Sequence, residues 1–132
     1  MFLQPKKLKF KKVNKGKLPA FKFKDNKLNY CFIGLKAIES GYVSSKQIES
    51  SRQAIVRRIK RSGKLWVRIY PSTPVTKKPI EVRMGKGKGS VNYYSAKVIG
   101  GTILFEIGGV NKTTAISAFK TGKSKLPVKT KI

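Results

Sequence analysis

The chain has 132 residues, of which 31 are Lys or Arg and 5 are Asp or Glu, giving a formal net charge of +26 with 39% hydrophobic residues. That length supports a single domain with a modest core, and so large an excess of one sign repels itself unless a polyanion neutralises it, because ordinary protein surfaces mix both signs. Histidine is absent and Cys31 is the single cysteine, which excludes a histidine-dependent triad, a His/Cys zinc site and an intramolecular disulfide scaffold.

The acids Asp25, Glu39, Glu49, Glu81 and Glu106 are dispersed, so no adjacent pair offers acid–base chemistry. Helix capping and pairing with surface lysines are their expected roles. No apolar run reaches the length of a membrane span. The opening MFLQPKKLKF lacks a continuous apolar region and is rich in lysine rather than arginine, so neither a signal nor a transit peptide is expected.

Residues 1–27 form an expected extended arm. Lys6, Lys7, Lys9, Lys11, Lys12, Lys15, Lys17, Lys22, Lys24 and Lys27 alternate there with Phe2, Leu3, Leu8, Phe10, Phe21 and Phe23. Like charge at this density opposes core formation, while the interleaved aromatics can stack on bases once the charge is neutralised. Residues 28–132 are the expected globular domain. It opens with the apolar run LNYCFIGLKA over Leu28–Ala37, a predicted strand holding Cys31 as a small buried hydrophobe, which Gly41 breaks.

Ser44 and Gln47 make a capping box. In the helix that follows, Ile48, Ile55 and Ile59 share one stripe, with Val56 at its edge, while Lys46, Arg57, Lys60 and Arg61 lie opposite; Gly63 is the expected residue after its end. Leu65, Val67 and Ile69 alternate with Lys64, Trp66, Arg68 and Tyr70 as a half-buried strand, and Pro71, Pro74 and Pro79 predict a loop. Ile80–Met84 reads as a short strand. Val91–Ile99 and Thr102–Ile107 read as two strands of a hairpin turning at Gly100-Gly101. Asn111 is positioned to cap a second helix through Ala115, Ile116 and Phe119, weakened by Gly122, and Leu126–Ile132 reads as an edge strand. The predicted fold is α+β, an antiparallel-rich sandwich with two helices and a basic N-terminal arm.

Between two predicted strands stands Arg83-Met84-Gly85-Lys86-Gly87-Lys88-Gly89. Glycine permits positive φ and exposes backbone N–H groups, and lysine follows phosphate oxygens as a mobile charge. This loop, residues 83–90, is shaped to lie against a polyanion. The arginines Arg52, Arg57, Arg58, Arg61, Arg68 and Arg83 all fall in the middle of the chain, where their planar forks suit fixed phosphate or base contacts, while the arm carries lysine alone. Two nucleotide motifs fail. Gly122-Lys123-Ser124 lacks the leading glycine of a P-loop, which is Ser117 here, and Gly85-x-Gly87-x-x-Ser90 lacks the last glycine of a dinucleotide fingerprint.

The motifs LQPK, KFKK, NKGK, GLKA, SSKQIE, RRIKRSGKLWVRIYP, PVTKKP, RMGKGKG and KLPVKT run in order across nearly the whole chain. Together they resemble the bacterial-type large-subunit ribosomal protein L-sixteen family. The resemblance implies an α/β sandwich embedded in large-subunit rRNA among neighbouring ribosomal proteins, beside the path of A-site tRNA into the peptidyl-transferase region. In such a system peptide-bond chemistry belongs to RNA, so no enzymatic activity, cofactor or homo-oligomer is expected. A membrane-surface protein held by anionic lipid is permitted by the basic arm, but no strongly amphipathic Trp/Leu-rich anchor accompanies it, so no membrane partner is expected. By motif, Lys6, Lys7, Lys9, Lys11, Lys12, Arg52, Arg57, Arg58, Lys60, Arg61 and Arg68 would contact rRNA. Arg83, Met84, Gly85, Lys86, Gly87, Lys88 and Gly89 would form the loop nearest tRNA. The sequence departs from the family pattern in its lysine-only arm, in NYCFIG, where Phe32 enters a less bulky pattern, and in Asn111–Thr114, where acids are usual. The lysine and asparagine bias points to an A+T-rich genome, with the mitochondrial matrix the first expectation and a bacterial cytoplasm or plastid the alternatives. A free architectural DNA-binding protein, equally basic, is the competing reading; it needs a groove-reading helix, a wedge or a dimer seam, of which Arg57–Arg61 could supply the helix, but no dimer pattern is evident.

Overall fold

A computed structural model describes residues 3–21 and 27–132. In chain order its elements are β1 (Ile33–Ala37), β2 (Gly41–Ser44), α1 (Ser45–Ile59), β3 (Lys64–Val67), β4 (Thr73–Lys77), β5 (Ser90–Val98), β6 (Ile103–Gly108), α2 (Lys112–Lys123) and β7 (Thr130–Lys131). They build two sheets, ordered β3-β6-β1-β7 and β2-β5-β4, in which every strand pair is antiparallel. The expected α+β class with two helices is what forms. Among the described residues no helix is long and apolar enough to cross a membrane.

The apolar stripe of α1 creates the core. Ile48, Ser51, Ile55 and Ile59 are its buried residues, and the three isoleucines join Leu35, Val43, Val98, Phe105 and Phe119 in one cluster. The capping box holds as read from the sequence: Gln47 N–H donates to Ser44 Oγ at 3.3 Å, and Ser44 N–H donates to Gln47 Oε1 at 2.9 Å. Such a cap contributes about 1 kcal/mol. α1 and α2 pack directly on each other. Their seam is closed by Ser51 Oγ donating to the Gly122 carbonyl at 3.0 Å. A Cβ on Gly122 would sit 2.5 Å from Ile55 Cγ1, so the glycine that weakens the helix is what lets the two helices meet.

Several expectations are corrected by long-range pairing. The strand expected from Leu28 begins only at Ile33, because the backbone of residues 29–31 donates to a side chain instead of a neighbouring strand. Gly41 opens β2 rather than simply ending a strand. α1 ends at Lys60, in the left-handed region with φ 53°, without using Gly63. Ser62 N–H and Oγ instead satisfy the Ile59 carbonyl at 3.1 and 2.6 Å. The proline-rich loop contains β4, where Pro74 is tolerated because β4 is an edge strand. Ile80–Met84 is not a strand; it joins neither sheet, and Ile80 and Met84 are 96% exposed. The hairpin is absent as well, since β5 and β6 lie in different sheets. The Gly100-Gly101 segment crosses between them, with Gly101 at φ 96° and its N–H donating to the Ala37 carbonyl at 2.8 Å. Asn111 stands at the N-cap of α2 without a side-chain cap bond. The final strand contracts to β7, paired at the edge of β1.

Glu106, fully buried in β6, organises the junction between arm and domain. Its carboxylate accepts from the backbone N–H groups of Tyr30 at 2.7 Å, Cys31 at 3.1 Å and Asn29 at 3.2 Å, and it pairs with the Arg68 guanidinium. Burial pushes this carboxyl upward, but the donors at Tyr30, Asn29, Arg68 and Cys31 together outweigh it and hold it below the usual carboxylate range. Burial, reinforced by the Glu106 charge, conversely pushes the half-buried Cys31 thiol up.

Gly122→Val should lower the unfolding free energy by about 1–3 kcal/mol through overpacking against Ile55, seen as a reduced denaturant midpoint at unchanged slope. Glu106→Gln should cost about 3 kcal/mol or more near neutral pH, because it strands a partly buried guanidinium. Since the folded value is depressed, the charge-dependent stability is fully present above the unfolded value of about 4.3 and is lost as pH falls through the lower folded value. The stability curves of the wild type and the Glu106→Gln variant should therefore converge in acid, as measured by denaturation across that range.

Candidate nucleic-acid interface

The glycines of the 83–90 loop answer a conformational demand. Gly85 has φ 103° and Gly87 φ 86°, and a Cβ on either would meet nothing within 4 Å. Lys86 between them is also left-handed, at φ 52°. Three successive residues with positive φ fold the segment into an exposed projection, and residues 81–88 are all exposed. Gly89 serves differently: a Cβ there would fall 2.6 Å from the Lys77 carbonyl, so it lets the loop return tightly against β4. Lys78 Nζ donates to the Gly85 carbonyl and braces the tip from within.

Arm and loop meet through a reciprocal pair of bonds. Lys12 Nζ donates to the Lys88 carbonyl at 2.7 Å, and Lys88 Nζ donates to the Val13 carbonyl at 2.8 Å. Further along, Tyr42 Oη donates to the Lys15 carbonyl at 2.7 Å, with Lys15 Nζ 4.7 Å from the Tyr42 ring centroid. Ser40 Oγ reaches the Ala20 carbonyl at 2.9 Å, and Phe21 forms a parallel bridge with Gly100. Leu3 packs against the core. The arm therefore lies along the domain without regular structure over residues 3–20. The arm residues Met1, Phe2 and 22–26, which include Lys22, Phe23, Lys24 and Asp25, fall outside the described residues. Lys6, Lys7, Lys9, Lys11 and Lys12 are all exposed, while Leu3 and Pro5 before them and Leu8 among them are half-buried.

The cations of α1 divide into two groups. Arg57, Arg58, Lys60 and Arg61 are exposed around the C-terminal end of the helix, where positive charge also complements the helix dipole. Arg58 Nε donates to Ser117 Oγ at 3.0 Å and ties that end to α2. Arg52 is engaged instead with Glu49, at 2.9 Å through Nε and 2.6 Å through Nη2. That hydrogen bond holds the Glu49 carboxyl below its usual range. Arg68 stands apart from the exposed set, because its guanidinium is committed to Glu106.

Sequence patterns did not announce two features of this surface. Tyr30 stacks on Trp66 with centroids 5.7 Å apart and planes 2° from parallel; Lys64 lies over the Trp66 ring at 5.3 Å and Arg68 over the Tyr30 ring at 5.4 Å. The alternation of β3 places Trp66 among polar neighbours, which was the available signal. The Glu106 junction was signalled only by one acid inside the apolar run ILFEIG. Among the described residues no group of three or more His, Cys, Asp or Glu side chains could hold a metal ion.

Residues 5–132 match the family model described as ribosomal protein L16p/L10e. The large ribosomal subunit protein uL16 of Blochmanniella pennsylvanica is 55% identical over 130 residues, covering 98% of this chain and 96% of the relative. That of Blochmanniella floridana is 53% identical over 128 residues, covering 97% and 96%. The protein of the same name from Erythrobacter litoralis is 52% identical over 130 residues, covering 98% and 90%. The chain thus belongs to the L16p/L10e family, and is a ribosomal protein rather than an enzyme.

Proposed function

We propose that this protein is a structural constituent of the large ribosomal subunit, that its arm and the exposed end of α1 bind large-subunit rRNA, and that its 83–90 loop helps to position A-site tRNA near the peptidyl-transferase centre. The observation that carries this reading is the mutual Lys12–Lys88 tie, which joins the arm and the exposed loop into one cationic surface. No acid lies within the described arm, and the loop itself contains none between Arg83 and Ser90. A net charge of +26 is compatible with a folded domain when rRNA phosphates supply the counter-charge. In that setting neighbouring ribosomal proteins and rRNA are the partners. The exposure of Arg57, Arg58, Lys60 and Arg61 supports their contact with phosphate, and the pairing of Arg52 with Glu49 and of Arg68 with Glu106 favours a supporting role for those two. The bacterial relatives favour a bacterial cytoplasm over the mitochondrial matrix expected from residue bias.

Co-sedimentation with the large subunit in high salt tests membership; a protein that remains at the top of the gradient refutes it. With roughly ten cations on phosphate, log affinity for rRNA should fall against log salt with a slope of about −7 to −9. Gly87→Val forces a β-branched residue to φ 86° in open space, so it should leave the core folded while impairing late subunit assembly or tRNA accommodation. Normal subunit yield together with normal accommodation would contradict the role given to the loop.

A further inference from the structure

We infer that the groove between β1, β7 and α2 is a binding site for one unstacked rRNA nucleotide, with Phe32 as its stacking platform. This rests on the rRNA reading above but concerns residues other than those of the arm and loop. Phe32 is 100% exposed. It stands beside a groove of about 500 Å³ lined by Ile33, Ile103 and Ile116, with the more exposed Leu28 and Ile132 also lining it. That volume falls within the ~300–1,000 Å³ of small-ligand pockets. A single exposed apolar side chain is unremarkable, but a wholly exposed phenylalanine beside an apolar groove marks a surface built for contact.

Charge selects the occupant. Lys36, Lys112 and Lys131 also line the groove, and among the described residues no acid does. An apolar cleft bordered by cations matches a nucleotide, whose base takes the apolar lining and whose phosphates take the ammonium groups. An apolar protein segment has no use for three lysines. Single-stranded loops and bulges of RNA present such bases, which stack on aromatic side chains with little regard to sequence.

The backbone that carries the platform is also held on both sides. On one side of Phe32 the Cys31 N–H is fixed to Glu106 at 3.1 Å; on the other, Ile33 enters β1 opposite Ile107. Gly34 brings Leu28 close over β1, since a Cβ there would lie 2.4 Å from Leu28 Cδ2. The backbone at position 32 is thereby set before any partner arrives, which lowers the ordering cost of stacking.

The test replaces Phe32 with photoreactive p-benzoylphenylalanine in the full chain and irradiates assembled large subunits. The expected result is an adduct at one unpaired rRNA nucleotide. In parallel, Phe32→Ala should weaken binding of the full chain to large-subunit rRNA at least about fivefold, whereas Phe32→Trp should retain it. Replacing Lys36, Lys112 and Lys131 with Gln should reduce the steepness of the salt dependence by about 0.7 per lysine. An adduct to a ribosomal protein, or particles that contain the protein but yield no RNA adduct, would overturn the site while leaving the rRNA reading intact. Failure of the wild-type chain to enter large subunits would overturn the rRNA reading, and the groove assignment with it.

Discussion

The carboxylate of Glu106 holds the segment 29–31 and the Arg68 guanidinium against β6. It is a charge with no solvent exposure, and a buried carboxylate is tolerable only if its lone pairs are filled. Three consecutive backbone N–H groups, from Asn29 to Cys31, and the Arg68 guanidinium fill them. The same bonds divert the apolar run before β1 out of the sheet, turn Phe32 to solvent and place Tyr30 against Trp66. A requirement for electrostatic satisfaction at one atom group thus decides the surface chemistry of a whole face.

Cationic side chains in this molecule follow two distinct fates. A minority pair with acids: Arg68 with the buried Glu106, Arg52 with Glu49 and, on the exposed surface, Lys129 with Glu39. With only five acids in the chain, few such pairs can exist. Others find carbonyl oxygens, as Lys12, Lys78 and Lys88 do, which satisfies their donors but leaves their charge uncompensated. Those bonds orient a positive surface without neutralising it. An assembly rich in phosphate supplies what the fold lacks, and membership of a ribosomal protein family is the counterpart of that deficit.

Much of what depended on neighbours within a few residues was legible in the sequence, although Gly63 does not end α1 and Asn111 makes no side-chain cap bond. The capping box at Ser44 and Gln47, the Ile48–Ile55–Ile59 stripe, the second helix after Asn111 and the exposed glycine–lysine loop are all local consequences of hydrogen-bond geometry, helical periodicity and φ freedom. The strand assignments were less secure. Pro74 reads as loop because proline cannot donate, yet an edge strand needs no donor on its outer side. Gly100-Gly101 has hairpin composition, but composition does not reveal that the flanking strands pair with β2, β4, β1 and β3 rather than with each other.

By itself the sequence determined the α+β class, the position of α1 and its two faces, the excess of positive charge and the family to which the chain belongs, because these arise from composition, local periodicity and ordered motifs. Only the tertiary structure decided that Arg68 serves a buried acid, that arm and loop interlock through Lys12 and Lys88, and that Phe32 stands beside an apolar groove bordered by lysines. Those facts join residues 38, 76 and 75 positions apart in the first three bonds, and separations of that size leave no periodic trace in the chain.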